Sequence, residues 1–211
     1  TGRAGRDGLS ANAWMTYGLA DVVLMQKILS ESEADEAHKR VEAHKFNALI
    51  GYCESVQCRR QVLLAYFGDA MESACGNCDT CLVPVETFDG TVAAQKVLSC
   101  VHRTGQRFGA GHIVDVLLGK MTHKIQSFGH HKLSTFGIGE EHKMPQWRAI
   151  IRQLVTSNFL RVDIEGYGGL QLTTACGPVL KGERQIHFRK DPEPERAARQ
   201  KSGPARNGLQ N

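Results

Sequence analysis

No run of eighteen apolar residues occurs anywhere in the chain, so no helix of it is expected to cross a membrane. No secretory leader is visible, which argues against an oxidising compartment and against a disulfide framework. There is no Gly-x4-Gly-Lys-Ser/Thr loop and no acidic magnesium motif, so the chain is not expected to hydrolyse ATP by itself. An initiating methionine is missing too, and the abrupt start reads as the interior of a larger domain.

What is present in unusual density is cysteine. Three of the seven crowd one loop, Cys75-Gly76-Asn77-Cys78-Asp79-Thr80-Cys81, and a fourth, Cys58, stands upstream across sixteen intervening residues, at the head of an apolar, helix-like run. Four thiolates suit tetrahedral zinc, and two-residue gaps let one turn wrap two ligands around one ion. Gly76 supplies the backbone freedom of such a knuckle. An iron–sulfur site also begins with Cys-x2-Cys-x2-Cys, but it continues x3-Cys-Pro, and here Leu82-Val83-Pro84 follows. Structural zinc is therefore the favoured reading, with a cluster and disulfides as the rivals. Cys53, Cys100 and Cys176 remain, and are expected to be small buried thiols of a reduced, intracellular protein.

The net charge of +4 is unevenly spread. Residues 1–90 hold 8 Lys+Arg against 13 Asp+Glu, residues 91–183 hold 11 against 6, and residues 184–211 hold 7 against 3. An acidic first part followed by a basic second part and tail points to a polyanion partner for the second part, with ordinary solvated faces as the alternative.

Thr1 to Gly8 alternates glycine with Arg3 and Arg6, a pattern that can clamp phosphate oxygens, and it leads into an expected strand at 13–17. Helices are expected at 22–30 capped by Asp21, at 35–56 starting at Asp35, and at 58–67 ending at Gly68. Arg59 and Arg60, beside the cysteine site, can pair with local carboxylates or touch a nucleic-acid backbone. Pro84 and Asp89-Gly90 mark a boundary near 88. Beyond it, Thr91 caps a helix to Arg103, a short helix runs 113–118, and a glycine- and histidine-rich connector, 119–143, is anchored by Phe128 and Phe136. The adjacent His130 and His131 point apart and make a poor ligand pair. A third helix, 145–157, has Pro145 in its first turn, with Trp147, Ile150, Ile151, Leu154 and Val155 inward and Lys143, Arg148 and Arg152 elsewhere. Strands 159–164 and 170–173 flank a Gly-rich tip carrying Tyr167, an aromatic placed to stack on an unpaired base or to fold back on its hairpin. Three helices and a two-stranded wing make a winged helix, a DNA-binding or a protein-docking module. From Arg184 the apolar period is lost, and a disordered basic linker is expected.

With these pieces in place, the chain resembles the bacterial RecQ family of DNA helicases over residues 1–183. Thr1 to Gly8 looks like the end of the family's helicase motif VI. Cys58-Arg59-Arg60 to Leu64, Tyr66-Phe67-Gly68 and Cys75 to Cys81 look like its zinc subdomain, and Gln106-Arg107-Phe108-Gly109, Lys132-Leu133 and Ile151 to Leu154 look like its winged helix. The resemblance implies zinc on Cys58, Cys75, Cys78 and Cys81. It implies an arginine finger at Arg6 supported by Arg3, with ATP and Mg2+ used only by the full-length parent, and Tyr167 at the wing tip. It further implies contacts to DNA, to single-stranded-DNA-binding protein through the winged helix, and residence in the bacterial cytoplasm at the nucleoid.

The resulting expectation is a mainly α protein with small β content. Residues 1–30 would be the remnant of a second RecA-like helicase lobe and 31–88 a helical zinc-binding subdomain with four cysteine ligands. Residues 89–183 would be a winged helix and 184–211 a basic linker. Arg59, Arg60, Lys143, Arg148, Arg152 and Tyr167 are the expected DNA contacts, and the fragment would bind duplex or junction DNA without ATPase activity. The alternatives are a free-standing zinc and winged-helix transcription regulator or a protein-docking module.

Overall fold

A computed structural model describes residues 7–9, 11–13, 15–163 and 168–191. Arg3, Arg6, Trp14, Tyr167 and the tail from residue 192 therefore lie outside the described residues.

The first helix, α1 (Leu19–Glu31), is capped by Gly18 rather than by Asp21. Asp21 sits one turn in, and its carboxylate accepts from the Gly18 N–H at 2.8 Å, where an acidic group also complements the helix dipole. Helix α2 (Glu36–Glu54) starts where the sequence places it, with Asp35 accepting from the His38 N–H at 2.8 Å. Helix α3 (Arg59–Tyr66) closes through the Gly68 and Asp69 N–H groups, which donate to the carbonyls of Ala65 and Leu64. A one-turn helix, α4 (Asp79–Leu82), completes the first module. The strand expected at 13–17 is not seen in its described part. Tyr17 is instead held by side-chain contacts to Glu54 and Arg152, and among the described residues no strand pairs with it.

The second module begins at β1 (Thr87–Asp89), followed by α5 (Thr91–Arg103), α6 (Ala110–Leu117), α7 (His123–Ser127) and a 3-10 turn at His130–Lys132. Next come α8 (Met144–Thr156), β2 (Leu160–Asp163), β3 (Gly169–Leu172), α9 (Cys176–Leu180) and β4 (His187–Arg189). Gly90, not Thr91, caps α5, while the Asp89 carboxylate accepts from the Thr91 N–H at 2.9 Å. Helices α5, α6 and α8 converge on one core with the wing β2–β3, an antiparallel pair in register Val162↔Leu170. Val97, Leu98, Ile113, Leu117, Trp147, Ile151 and Leu154 are fully buried in it. Trp147 satisfies its indole N–H on the Gly139 carbonyl at 2.8 Å.

The fold runs past the residue at which a linker was expected. Ile186 and Phe188 are buried, and β4 pairs antiparallel with β1 through Phe88↔Phe188. The buried Gln153 amide holds the Arg189 backbone on both sides, at 2.9 and 3.1 Å. Gly90 lies under the Phe188 ring, where a Cβ would come within 2.0 Å of the ring carbons. Strand β1 thus spans the boundary expected near 88 and is joined to the second module. Among the described residues no helix is long and apolar enough to cross a membrane.

Candidate metal centre and nucleic-acid interface

The two modules differ in what holds them together. Residues 19–82 bury only Val22, Ile50 and Cys58 as apolar side chains, whereas the second module has a continuous apolar core. A unit with so little buried apolar surface requires another staple.

The cysteines supply one. Chain reversal between α3 and α4 brings Cys58, Cys75, Cys78 and Cys81 together, with every Sγ within 4.8 Å of the others. Cys78 Sγ lies 4.0 Å from Cys58 Sγ and 3.3 Å from Cys81 Sγ, and Cys75 Sγ lies 4.0 Å from Cys81 Sγ. A zinc tetrahedron with Zn–S bonds near 2.3 Å has edges of about 3.8 Å, so the donor set fits the ion.

Local structure prepares the thiols for ionisation. Cys58 and Cys78 are the N-cap residues of α3 and α4, where helix dipoles favour thiolate. The N–H groups of Cys75 and Arg59 point at Cys58 and Cys78 sulfur at 3.3 and 3.4 Å. Gly76 turns the knuckle at φ +67°. The Thr80 hydroxyl, 3.3 Å away, is the main reason the Cys78 thiol is lowered to about 5. The Cys81 thiol is pushed up to about 11 by its own hydrogen bond with Cys78 and by desolvation. Backbone hydrogen bonds from Cys75 and Gln61 lower the Cys58 thiol as well, and a bound dication would hold all four sulfurs as thiolates. No open coordination position remains after four protein ligands, so the centre is structural.

Arg59 braces this knuckle. Its guanidinium takes the Asp79 carboxylate at 2.9 and 3.0 Å and donates to the carbonyls of Tyr52 and Cys53 at the end of α2. The side chain is only 12% exposed, so of the two roles open to it the local carboxylate takes its charge. Arg60, its neighbour, is exposed.

Arg152 is likewise turned inward. On α8 it meets Glu54 from α2 at 3.2 Å and Asp191 at 2.8 Å, and it lies over the Tyr17 ring. Arg189 reaches the Cys53 carbonyl at 2.9 Å. Glu54 also accepts from the Tyr17 hydroxyl. Burial first, and this hydrogen bond second, raise the Tyr17 phenol far above its ordinary value. These groups form the joint between the zinc module and α8. They remove Arg152 from the surface where a DNA contact was expected.

Lys143 and Arg148 have the opposite placement. Both are exposed at the start and on the outer side of α8, and neither makes an ion pair among the described residues. The six expected nucleic-acid contacts therefore separate. Arg59 and Arg152 are internal struts, Arg60, Lys143 and Arg148 face solvent, and Tyr167 lies outside the described residues.

Sequence reasoning missed one cluster. His112 Nε2 and His130 Nδ1 are 2.7 Å apart, and Phe108 stacks on His112 with centroids 4.2 Å apart. Eighteen residues separate the two histidines, so no local spacing shows the pair. Burial first, then the nearby charges of His130 and Lys124, lower His112 to about 4. Burial also lowers His130. An unfolded histidine takes up its proton near 6.5, and the folded one does so only near 4. The unfolded state binds more protons in that window, so stability is expected to fall as pH drops from about 6.5 towards about 4. A melting-temperature series across this range checks it: H112Q should flatten the slope, and an unchanged slope would contradict the assignment.

The zinc-binding family model described as "RecQ zinc-binding" matches residues 19–82, and the RQC domain model matches residues 84–197. The ATP-dependent DNA helicase RecQ of Haemophilus influenzae is 43% identical over 189 residues, which is 89% of this chain and 30% of that protein. The Pasteurella multocida protein of the same name is 41% identical over 88% of this chain and 29% of its own length. That of Bacillus subtilis is 31% identical over 88% and 31%. The chain thus spans about 30% of the length of these three curated relatives. A zinc-binding model lying over a module with four clustered thiols makes Zn2+ the structural cofactor.

Proposed function

The chain belongs to the RecQ family of DNA helicases, and on that premise we propose that it is the zinc and winged-helix part of an ATP-dependent 3′–5′ DNA helicase serving DNA repair and recombination at the bacterial nucleoid. Cys58, Cys75, Cys78 and Cys81 are the zinc ligands. Residues 31–86 act as the mount and residues 87–189 as the DNA-binding unit, with residues 1–30 continuing a RecA-like lobe. In the whole enzyme Arg6 and Arg3 meet the ATP γ-phosphate, and Tyr167 is a DNA contact. The zinc and winged-helix part binds duplex or forked DNA and does not turn over ATP.

The observation that carries this reading is the pair of exposed cations, Lys143 and Arg148, without an ion-pair partner among the described residues, on a helix whose inner side is locked into the core by Trp147, Ile150 and Ile151. Cations so held position a phosphate backbone without reading sequence. Single-stranded-DNA-binding protein is a partner in the same reading. A depression lined by Ser99, His102, Arg103, Leu133 and Leu180 offers a protein partner both apolar and cationic contacts.

Titration of a fluorescent forked duplex against the chain at rising salt tests the proposal. Affinity should fall steeply and linearly on logarithmic axes. K143A combined with R148A should reduce the slope by about 2 and weaken all sequences alike. Salt-independent binding, or a double variant that binds as well as the parent chain, would overturn it. Strong preference for one sequence would favour a transcription regulator instead.

A further inference from the structure

Phe128 and Phe136 were expected to anchor the connector; Phe136 packs against the core, whereas Phe128 is 53% exposed. The exposed ring is nonetheless held in place. Its centroid is 5.0 Å from Phe108 in an edge contact and 5.9 Å from His130 in a stacked one. His130 is in turn fixed by His112 at 2.7 Å, so four rings from α6, the α5–α6 loop and the connector support one another.

This cluster stands at the foot of the wing. The Leu170 N–H of β3 donates to the Phe108 carbonyl at 2.9 Å, and the Leu172 N–H donates to the Gln106 side chain at 2.8 Å. A Cβ at Gly169 would lie 2.8 Å from the Arg107 carbonyl carbon, which shows how closely loop and strand approach. The surroundings are cationic. Lys124 lies over the Phe108 ring at 5.2 Å, and Arg107 and Lys132 are exposed nearby in sequence. The one carboxylate between residues 101 and 135, Asp115, pairs with Lys120.

We propose that Phe128, backed by Phe108 and His130, is a stacking platform for an unpaired base of a DNA strand leaving the duplex at the foot of the wing. This rests on the DNA-binding reading above. A held aromatic ring attracts any base through its π face, and the cations around it attract the phosphates on either side. A strand of DNA meets both features at once, since each base it offers the ring is flanked by phosphates for Lys124, Arg107 and Lys132.

The test uses the whole 211-residue chain, a blunt duplex, and a fork with 2-aminopurine as the first unpaired base. The expected result is quenching of 2-aminopurine by the unmodified chain, lost in F128A and retained in F128W. F128A should bind the fork about tenfold more weakly while binding the blunt duplex unchanged. The ring lies outside the core, so F128A should remain folded, with a cooperative melting curve. Equal quenching and fork affinity in F128A would overturn the platform and leave the duplex reading standing. Failure of the unmodified chain to bind either DNA would overturn both. A chain that sediments as a dimer without DNA, and as a monomer once Phe128 is replaced, would overturn the platform and assign the face to a second copy.

Discussion

Chelation of the bound metal is expected to unfold residues 58–82 while leaving the second module folded. Metal binding in a small unit is folding free energy, about 10–16 kcal/mol in zinc-finger peptides near neutral pH. The apolar residues of this module that are buried, Val22, Ile50 and Cys58, cannot replace such a contribution. Helix α3 has 8 residues and α4 has 4, both too short to persist unaided. Limited proteolysis after chelator treatment should therefore open cleavage sites between Cys58 and Leu82 and leave a resistant fragment from about residue 84 to 191. C78S should behave in the same way without chelator. Protease resistance of 58–82 unchanged by metal removal would refute the zinc staple.

Two arginines one helical turn apart should give opposite phenotypes. R152A leaves Glu54 buried at the joint without its cation, and breaking one side of a buried pair costs about 3–5 kcal/mol. Its guanidinium and Glu54 are only 11% and 12% exposed, so solvent screens the pair little. The melting temperature should drop by about 10 °C or more, and α2 should exchange its amide protons faster near Glu54. R148A removes a solvent-facing charge, and its stability should stay within about 0.5 kcal/mol of the parent, yet DNA affinity should fall. Thermal melts and duplex titrations on both variants separate the two roles. If R152A melts normally, the joint is not what orients α8 on the zinc module. If R148A binds DNA normally, the outer side of α8 is not the contact.

Much of this architecture is legible in the sequence where the signal is local. The Cys58 and Cys75–Cys81 spacing, Asp35 before α2, Pro145 in the first turn of α8 and the glycines between β2 and β3 each declare their element within a few residues. Partners distant in the chain are not legible. Arg148 and Arg152 share an edge by spacing, but only the fold shows that Arg152 faces Glu54 and Asp191 while Arg148 faces water. Arg59 shows the same limit, because its partner Asp79 arrives through chain reversal at the thiol cluster. Strand β4 is hidden because its pattern is short: Ile186 and Phe188 alternate among Arg184, Gln185, His187 and Arg189. Its strand partner lies a hundred residues upstream. The His112–His130 pair escapes any search restricted to neighbouring histidines.

Amide hydrogen exchange on the zinc-loaded chain, with and without forked duplex DNA, tests most directly whether a zinc-stapled mount presents α8 and the wing to DNA. The account predicts DNA-dependent protection across residues 143–149 and in β2 and β3, with the thiol loop protected whether or not DNA is present. Binding that leaves α8 and the wing unprotected, with all new protection elsewhere, would contradict it.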